Sequence, residues 1–249
     1  MPVLDHVFVV LITIVYPVVG FLSFRRLLRR VAAGQAVNRP LLYRSTFLSH
    51  WTLFIVCLVL WSGASRTWPA LGFDLQPDLR FSLAVVLTLA GIAVLLLQLR
   101  QVKSASQDEI DAMKSRLGNM AIMIPHTRGE LARFYGLAVT AGIVEEVLWR
   151  GFLIWYLSQF MPLWAAALAS AVGFGLAHAY QGIANLPQIT LVGAVFAALY
   201  VLSGSLWLPM VLHAAVDILQ GRLAYVVVNR GGTGRSTPVS GAAEGISAS

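Results

Sequence analysis

Cysteine is nearly absent from this chain. Cys57 is the only one, it lies inside an apolar run, and a single thiol excludes both a disulfide framework and a cysteine-based metal site. Charge is scarce too: 12% of the 249 residues are Asp, Glu, Lys or Arg, against roughly a quarter in an ordinary soluble domain. With 58% hydrophobic residues and a mean hydropathy of +0.75, water could not solvate the resulting surface. That excludes the one or two soluble domains that length alone would allow. Acidic residues are the scarcer sign, 11 against 18 Lys and Arg, for a net charge of +7. The excess is no nucleic-acid footprint, because the arginines cluster in short connections between apolar runs and no basic stretch carries interleaved aromatics. Internal repeats are also lacking.

What the chain has in quantity is apolar runs approaching the ~20 residues that cross a hydrocarbon core. They fall near residues 7–24, 47–62, 81–99, 135–157, 163–179, 189–203 and 206–228. The fold class this predicts is all-α, a polytopic membrane helix bundle of about seven spans forming one domain over residues 1–228. The first run is followed by Arg25, Arg26, Arg29 and Arg30, whereas a signal peptide carries its positive charges in front. It therefore reads as a retained helix. Arg39 and Arg44 extend the same basic connection, the next connection balances Arg66 and Arg80 with Asp74 and Asp78, and the third is again basic at its ends. This alternation predicts an N-terminus outside and a C-terminus, with Arg230 and Arg235, in the cytoplasm. Ser106 followed by Glu109 has the form of a capping box, and Ile110, Met113 and Leu117 recur at helical spacing before Pro125. A short amphipathic helix at the cytoplasmic interface is expected there. Residues 229–249, rich in Gly, Ser and Thr, read as a disordered tail.

Against this background the ionisable residues inside spans stand out, since each costs about 2.5 to 3.5 kcal/mol at mid-membrane on insertion scales. The fourth span carries Glu145, Glu146 and Arg150. Glu146 and Arg150 are one helical turn apart and can neutralise each other. Glu145, rotated about 100° from Glu146, is the spare carboxylate, free to face a wet cavity. The fifth span places Phe174 and His178 one turn apart among small residues that favour the bundle interior. The seventh carries His213 and Asp217 on one helical face. Each feature alone has a structural explanation, as helix glue, a packing histidine or a register pair. Three spans carrying them together point to chemistry. His6 and His126 fall at span edges or loops, and His50, with no charged neighbour in sequence, reads as interfacial.

Peptide hydrolysis needs an activated water, a donor for the developing oxyanion and a proton for the leaving amine. Glu145 can be the general base, His178 can hold the water, and His213 oriented by Asp217 can stabilise the oxyanion. Two histidines and a carboxylate also suit Zn²⁺ with an open position for water, so Glu145, His178 and His213 are equally candidate metal ligands. Spacing does not choose, because no His-Glu-x-x-His helix is present.

Glu145-Glu146-Val147-Leu148-Trp149-Arg150, Phe174-Gly175-Leu176-Ala177-His178 and His213-Ala214-Ala215-Val216-Asp217 resemble the ordered motifs Glu-Glu-x-x-x-Arg, Phe-x-x-x-His and His-x-x-x-Asn/Asp of the CPBP family. This is the family of type II CAAX prenyl proteases and bacteriocin-processing Abi proteins. The resemblance spans about residues 135–228. It implies an intramembrane endopeptidase, described in the family as either glutamate-type or metal-dependent, with Glu145, His178 and His213 in the catalytic roles, Glu146 and Asp217 as further members of the catalytic set, and Arg150 and Phe174 supporting them. Asp217 stands where the type II CAAX proteases carry Asn, which removes an amide donor and leaves orientation of His213 or metal binding as its role. The implied partners are membrane lipid and a membrane-anchored protein or peptide cut near its C-terminus, prenylated in the CAAX-processing members, and no nucleic acid. Two other classes compete. Intramembrane Glu, His and Asp also form the relays of proton- or ion-coupled transporters, and a family member can act as an immunity or scaffold protein without turnover.

Overall fold

The structure is a computed structural model and describes residues 1–230, which form helices and connecting turns with no strand among them. Helix α1 runs over Val3–Ala32 with a π-helical stretch at Leu11–Val15. Helix α2 is Arg39–Gly63, α3 is Leu79–Ser104 and α4 is the short Gln107–Leu117. Helix α5 occupies residues 128–157, in which a π-helical segment at Val147–Leu153 joins Arg128–Glu146 to Ile154–Leu157. Helices α6, Leu163–Ala177, α7, Leu186–Ser203, and α8, Trp207–Asn229, complete the bundle. The last helix thus includes Asn229, which the sequence reading had assigned to the tail; residues 231–249 of that expected tail lie outside the described residues.

Length and composition suit α1, α2, α3, α8 and the 21-residue stretch Ile183–Ser203 to crossing a membrane. Only 17–28% of each apolar window is buried within the protein. The rest, including Val7, Leu89, Leu97, Leu191 and Val211, is exposed, a surface too large and continuous for water and suited to lipid. The protein is an integral, multi-pass membrane helix bundle.

The remaining two spans differ from the expectation in an instructive way. Helix α5 carries the ionisable residues and is the most buried element, with all seven residues of its π-helical segment enclosed. Helix α6 has 15 residues, about 22 Å at 1.5 Å per residue, well short of a ~30 Å core. The sequence reading took residues 163–179 as a full crossing, which left His178 near one face and His213 beyond mid-depth. Because α6 starts beside the end of α5 and stops early, His178 sits roughly 22 Å down from that end, close to the roughly 18 Å at which Glu145 lies along α5. Two 3₁₀ turns at Ala179–Gln181 and Ile183–Asn185 then bridge to α7, with Gly182 between them at φ +111°. Irregular backbone at this depth is tolerated only where protein covers it or a polar cavity meets it.

With no hydrophobic gain from association in lipid, close backbone packing holds the helices together. A Cβ on Gly142 would lie 2.7 Å from the Ala214 nitrogen, so α5 and α8 meet backbone to backbone. That contact sets Glu146, one turn beyond Gly142, against His213. At the arginine-rich end, Ser106 and Glu109 form the expected capping box and Ile110 packs against Val102 and Val227, seating α4 on the bundle. The hydrogen bonds of that box hold the Glu109 carboxyl below its usual range. At the opposite end, Asp5 and Arg66 form a buried ion pair, and the Arg66 guanidinium lies 4.2 Å from the centre of the Trp155 ring.

Candidate active site

Glu145 and Glu146 leave α5 in different directions and enter different surroundings. Glu146 is wholly buried. Its Oε1 accepts from Arg150 Nη1 at 2.9 Å, one turn ahead, and from His213 Nδ1 at 2.7 Å. Arg150 spans the gap to α7 by donating from Nη2 to the Gly193 carbonyl at 3.0 Å. Gly193 permits this, since a Cβ there would stand 3.4 Å from that same nitrogen and 3.1 Å from Phe174. The guanidinium also rests on the Phe174 ring, 4.4 Å from its centre, a stacking that suits the weakly hydrated Arg charge.

The π-helical turns follow directly after this pair. Such turns interrupt the regular i to i−4 ladder and recur at functional sites. Here the Ser170 hydroxyl of α6 donates to the Trp149 carbonyl at 2.8 Å, satisfying a buried acceptor and fixing α6 against α5.

Glu145 has a side chain 15% exposed. Its Oε2 stands 3.8 Å from His178 Nε2 and has no hydrogen-bond partner among the described residues. His178 Nδ1 is 2.8 Å from the Phe174 carbonyl; a carbonyl only accepts, so Nδ1 carries the hydrogen and Nε2 of the neutral ring is an acceptor. The Phe174 ring is the spacer of the site, 4.5 Å from the His178 ring and 6.0 Å from that of His213. His213 is stacked on Phe196 at 4.8 Å, its Nδ1 turned to Glu146 and its Nε2 3.7 Å from Asp217 Oδ2. The hydrogen bond that orients His213 thus comes from Glu146. Asp217, which the sequence reading had given that task, stands on the other side of the ring beyond hydrogen-bond reach.

All seven residues singled out by sequence, Glu145, Glu146, Arg150, Phe174, His178, His213 and Asp217, therefore belong to one cluster formed by α5, α6 and α8. His50 joins them and corrects an expectation. It is buried, 7% exposed, and its Nε2 is 3.0 Å from Glu145 Oε1, so it is no interfacial residue and Glu145 is no spare carboxylate. The zinc alternative can be tested on the same geometry. His178 and His213 each have Nδ1 on an oxygen acceptor, which leaves Nε2 of each ring as the atom a metal would use. Among the described residues no three His, Cys, Asp or Glu side chains are grouped to hold a metal ion.

Residues 127–219 match the family model described as type II CAAX prenyl endopeptidase Rce1-like. That stretch is similar to the CAAX-protease family. The match takes in all three motifs, from the Thr127 cap of α5 to Asp217 on α8. No curated protein and no solved structure matches the chain. The similarity is thus to a peptidase domain, and it covers the part of the chain that carries the cluster.

Proposed function

We propose that the chain is a glutamate-type intramembrane endopeptidase that cuts a membrane-anchored protein or peptide near its C-terminus. The observation that carries the reading is the free Oε2 of Glu145 facing the acceptor Nε2 of His178 across 3.8 Å. A water held between two acceptors directs both hydrogens at them and turns a lone pair toward an incoming peptide carbonyl. As its oxygen bonds to the carbonyl carbon, the proton passes to Glu145 Oε2. The negative charge developing on the carbonyl oxygen is met by His213 acting as an imidazolium, donating from Nε2 while Glu146 and Asp217 offset its charge. Collapse of the tetrahedral intermediate breaks the C–N bond, and Glu145 returns the proton to the leaving amine. Arg150 and Phe174 hold Glu146 and the two rings in place.

The side chains of Glu145 and His178 are 15% and 17% exposed, so a substrate reaches them only as an extended segment. A short tail beyond a membrane anchor meets that demand, and a folded domain does not. Positive charge gathered at the ends of α1, α3 and α8 and the starts of α2 and α5 supports a cytoplasmic position for that end of the bundle, with the N-terminus outside.

The test is cleavage of membrane-anchored peptides, prenylated and unprenylated, by detergent-purified protein beside the Glu145→Ala variant, with chelator added to a parallel set. Cleavage by the parent alone, unaffected by chelator, is the expected result. Cleavage that persists in Glu145→Ala would remove the proposed base, and loss of cleavage with chelator would make the reaction metal-dependent and overturn the glutamate-type reading.

A further inference from the structure

His50 lies on α2, outside the stretch that the family model matches, and Glu145 is 95 positions further along the chain. Its ring is held from behind. Nδ1 is 2.9 Å from the Thr46 carbonyl and 3.1 Å from the Tyr16 hydroxyl. Since the carbonyl can only accept, Nδ1 carries a hydrogen shared between the two oxygens. The surrounding bonds agree with that direction: the Tyr16 hydroxyl is 3.0 Å from Ser49 Oγ, and the Ser49 hydroxyl donates to the same Thr46 carbonyl at 2.9 Å. The ring therefore presents Nε2 to Glu145 Oε1 at 3.0 Å. Two bare lone pairs would repel at that distance, so one proton lies in this hydrogen bond. With Nδ1 turned to two oxygens, Nε2 is the ring atom that meets the carboxyl group of Glu145.

We infer that His50 is a positioning residue of the peptidase, contributed by the N-terminal half of the bundle, which holds Glu145 Oε1 so that Oε2 is the oxygen turned to His178 and the water. The inference rests on Glu145 being the base. His50 reaches no reacting atom itself. It fixes which carboxylate oxygen works, as the hydrogen bonds from Arg150 and His213 fix Oε1 of Glu146. Tyr16, Thr46 and Ser49 hold the ring that does this, which ties α1 and α2 to a site otherwise made by α5, α6 and α8.

The test compares the full-length parent with His50→Leu, His50→Gln and Glu145→Gln, reading kcat and KM on a cleaved peptide and the thermal midpoint in the same detergent. His50→Leu removes the donor, and kcat is expected to fall on the order of 10²-fold with KM changed by less than about threefold. His50→Gln places an amide N–H near the position of Nε2 and is expected to recover most of that loss. In a Glu145→Gln background, His50→Leu is expected to add nothing to the residual rate, since the two act as one unit. Full kcat in His50→Leu, failure of Gln to rescue at an unchanged midpoint, or simple additivity of the two losses would each overturn the inference while leaving the peptidase intact. If His50→Leu does not fold, His50→Gln and the double variant with Glu145→Gln still decide. Undiminished cleavage in Glu145→Gln would remove the base itself, and the function with it.

Discussion

Glu145 and Glu146 are neighbours in sequence, yet they illustrate two ways of keeping a carboxylate inside a membrane. Glu146 is wholly enclosed; its Oε1 accepts from both Arg150 and His213, so its charge is matched although its Oε2 has no partner among the described residues. Glu145 also has one oxygen held, by His50, and one without a partner, but its side chain is 15% exposed and that second oxygen faces His178 Nε2 at 3.8 Å. A buried ion pair rarely repays its desolvation in stability, so the Glu146 arrangement is best understood through what it orients, the His213 ring. The Glu145 arrangement turns its second oxygen toward His178 rather than toward a fixed cation, which is what a base requires. Helix geometry produces the division: a rotation of about 100° per residue points one carboxylate toward α8 and α7 and the other toward α2 and the end of α6.

The largest effects should separate the two along different axes. Glu145→Gln preserves shape but cannot take a proton, and the cleavage rate is expected to fall by about 10²- to 10⁴-fold with little change in thermal midpoint. Glu146→Gln leaves the Arg150 guanidinium buried without a carboxylate, and the protein is expected to lose about 3 to 5 kcal/mol of stability, read as a lowered midpoint in detergent. Equal losses of stability in both variants would erase the distinction drawn between them.

The Glu146 half of this contrast was legible in the sequence and the Glu145 half was not, for a physical reason. Glu146 and Arg150 are one turn apart, so helical periodicity alone joins them. His50 and Glu145 are joined only by the packing of α2 against α5, and nothing in the residues around His50 signals a distant partner. The same limit explains the other differences. Apolar runs marked the helices well, but hydropathy carried residues 163–179 through the turn after Ala177 and so hid that α6 stops at the depth of the site. The π-helical turns at Val147–Leu153 have no periodic signature in seven residues. Asp217 was assigned to His213 because it is four residues away on the same helix face. Glu146 proved the closer partner because Gly142 lets α8 approach, a tertiary fact.

That approach offers a sharper test of the comparison. Gly142→Ala would bring a methyl group within 2.7 Å of the Ala214 nitrogen, and backbone cannot yield as a flexible side chain can. α8 is expected to shift outward, carrying His213 away from Glu146 while Glu145 keeps its contact with His50. The cost should be about 1 to 3 kcal/mol, and cleavage should fall through loss of oxyanion stabilisation rather than loss of the base. A Gly142→Ala protein with parental activity and midpoint would mean that the Glu146–His213 contact does not depend on this close packing.

The smallest effect is expected at Asp217, and it asks which carboxylate holds His213. Asp217 Oδ2 is 3.7 Å from Nε2 and its side chain is 35% exposed, whereas Glu146 is bonded to Nδ1 at 2.7 Å and wholly enclosed. Solvent screens the first interaction and not the second. Asp217→Asn should therefore move stability by no more than about 0.5 kcal/mol and, with His213 still oriented by Glu146, should leave cleavage within about tenfold of the parent, a difference of about 1.4 kcal/mol in the barrier. Loss of activity as deep as that of Glu145→Gln would instead make the Asp217 carboxylate indispensable to the His213 imidazolium, and the wider separation in this structure would then have to close when substrate binds.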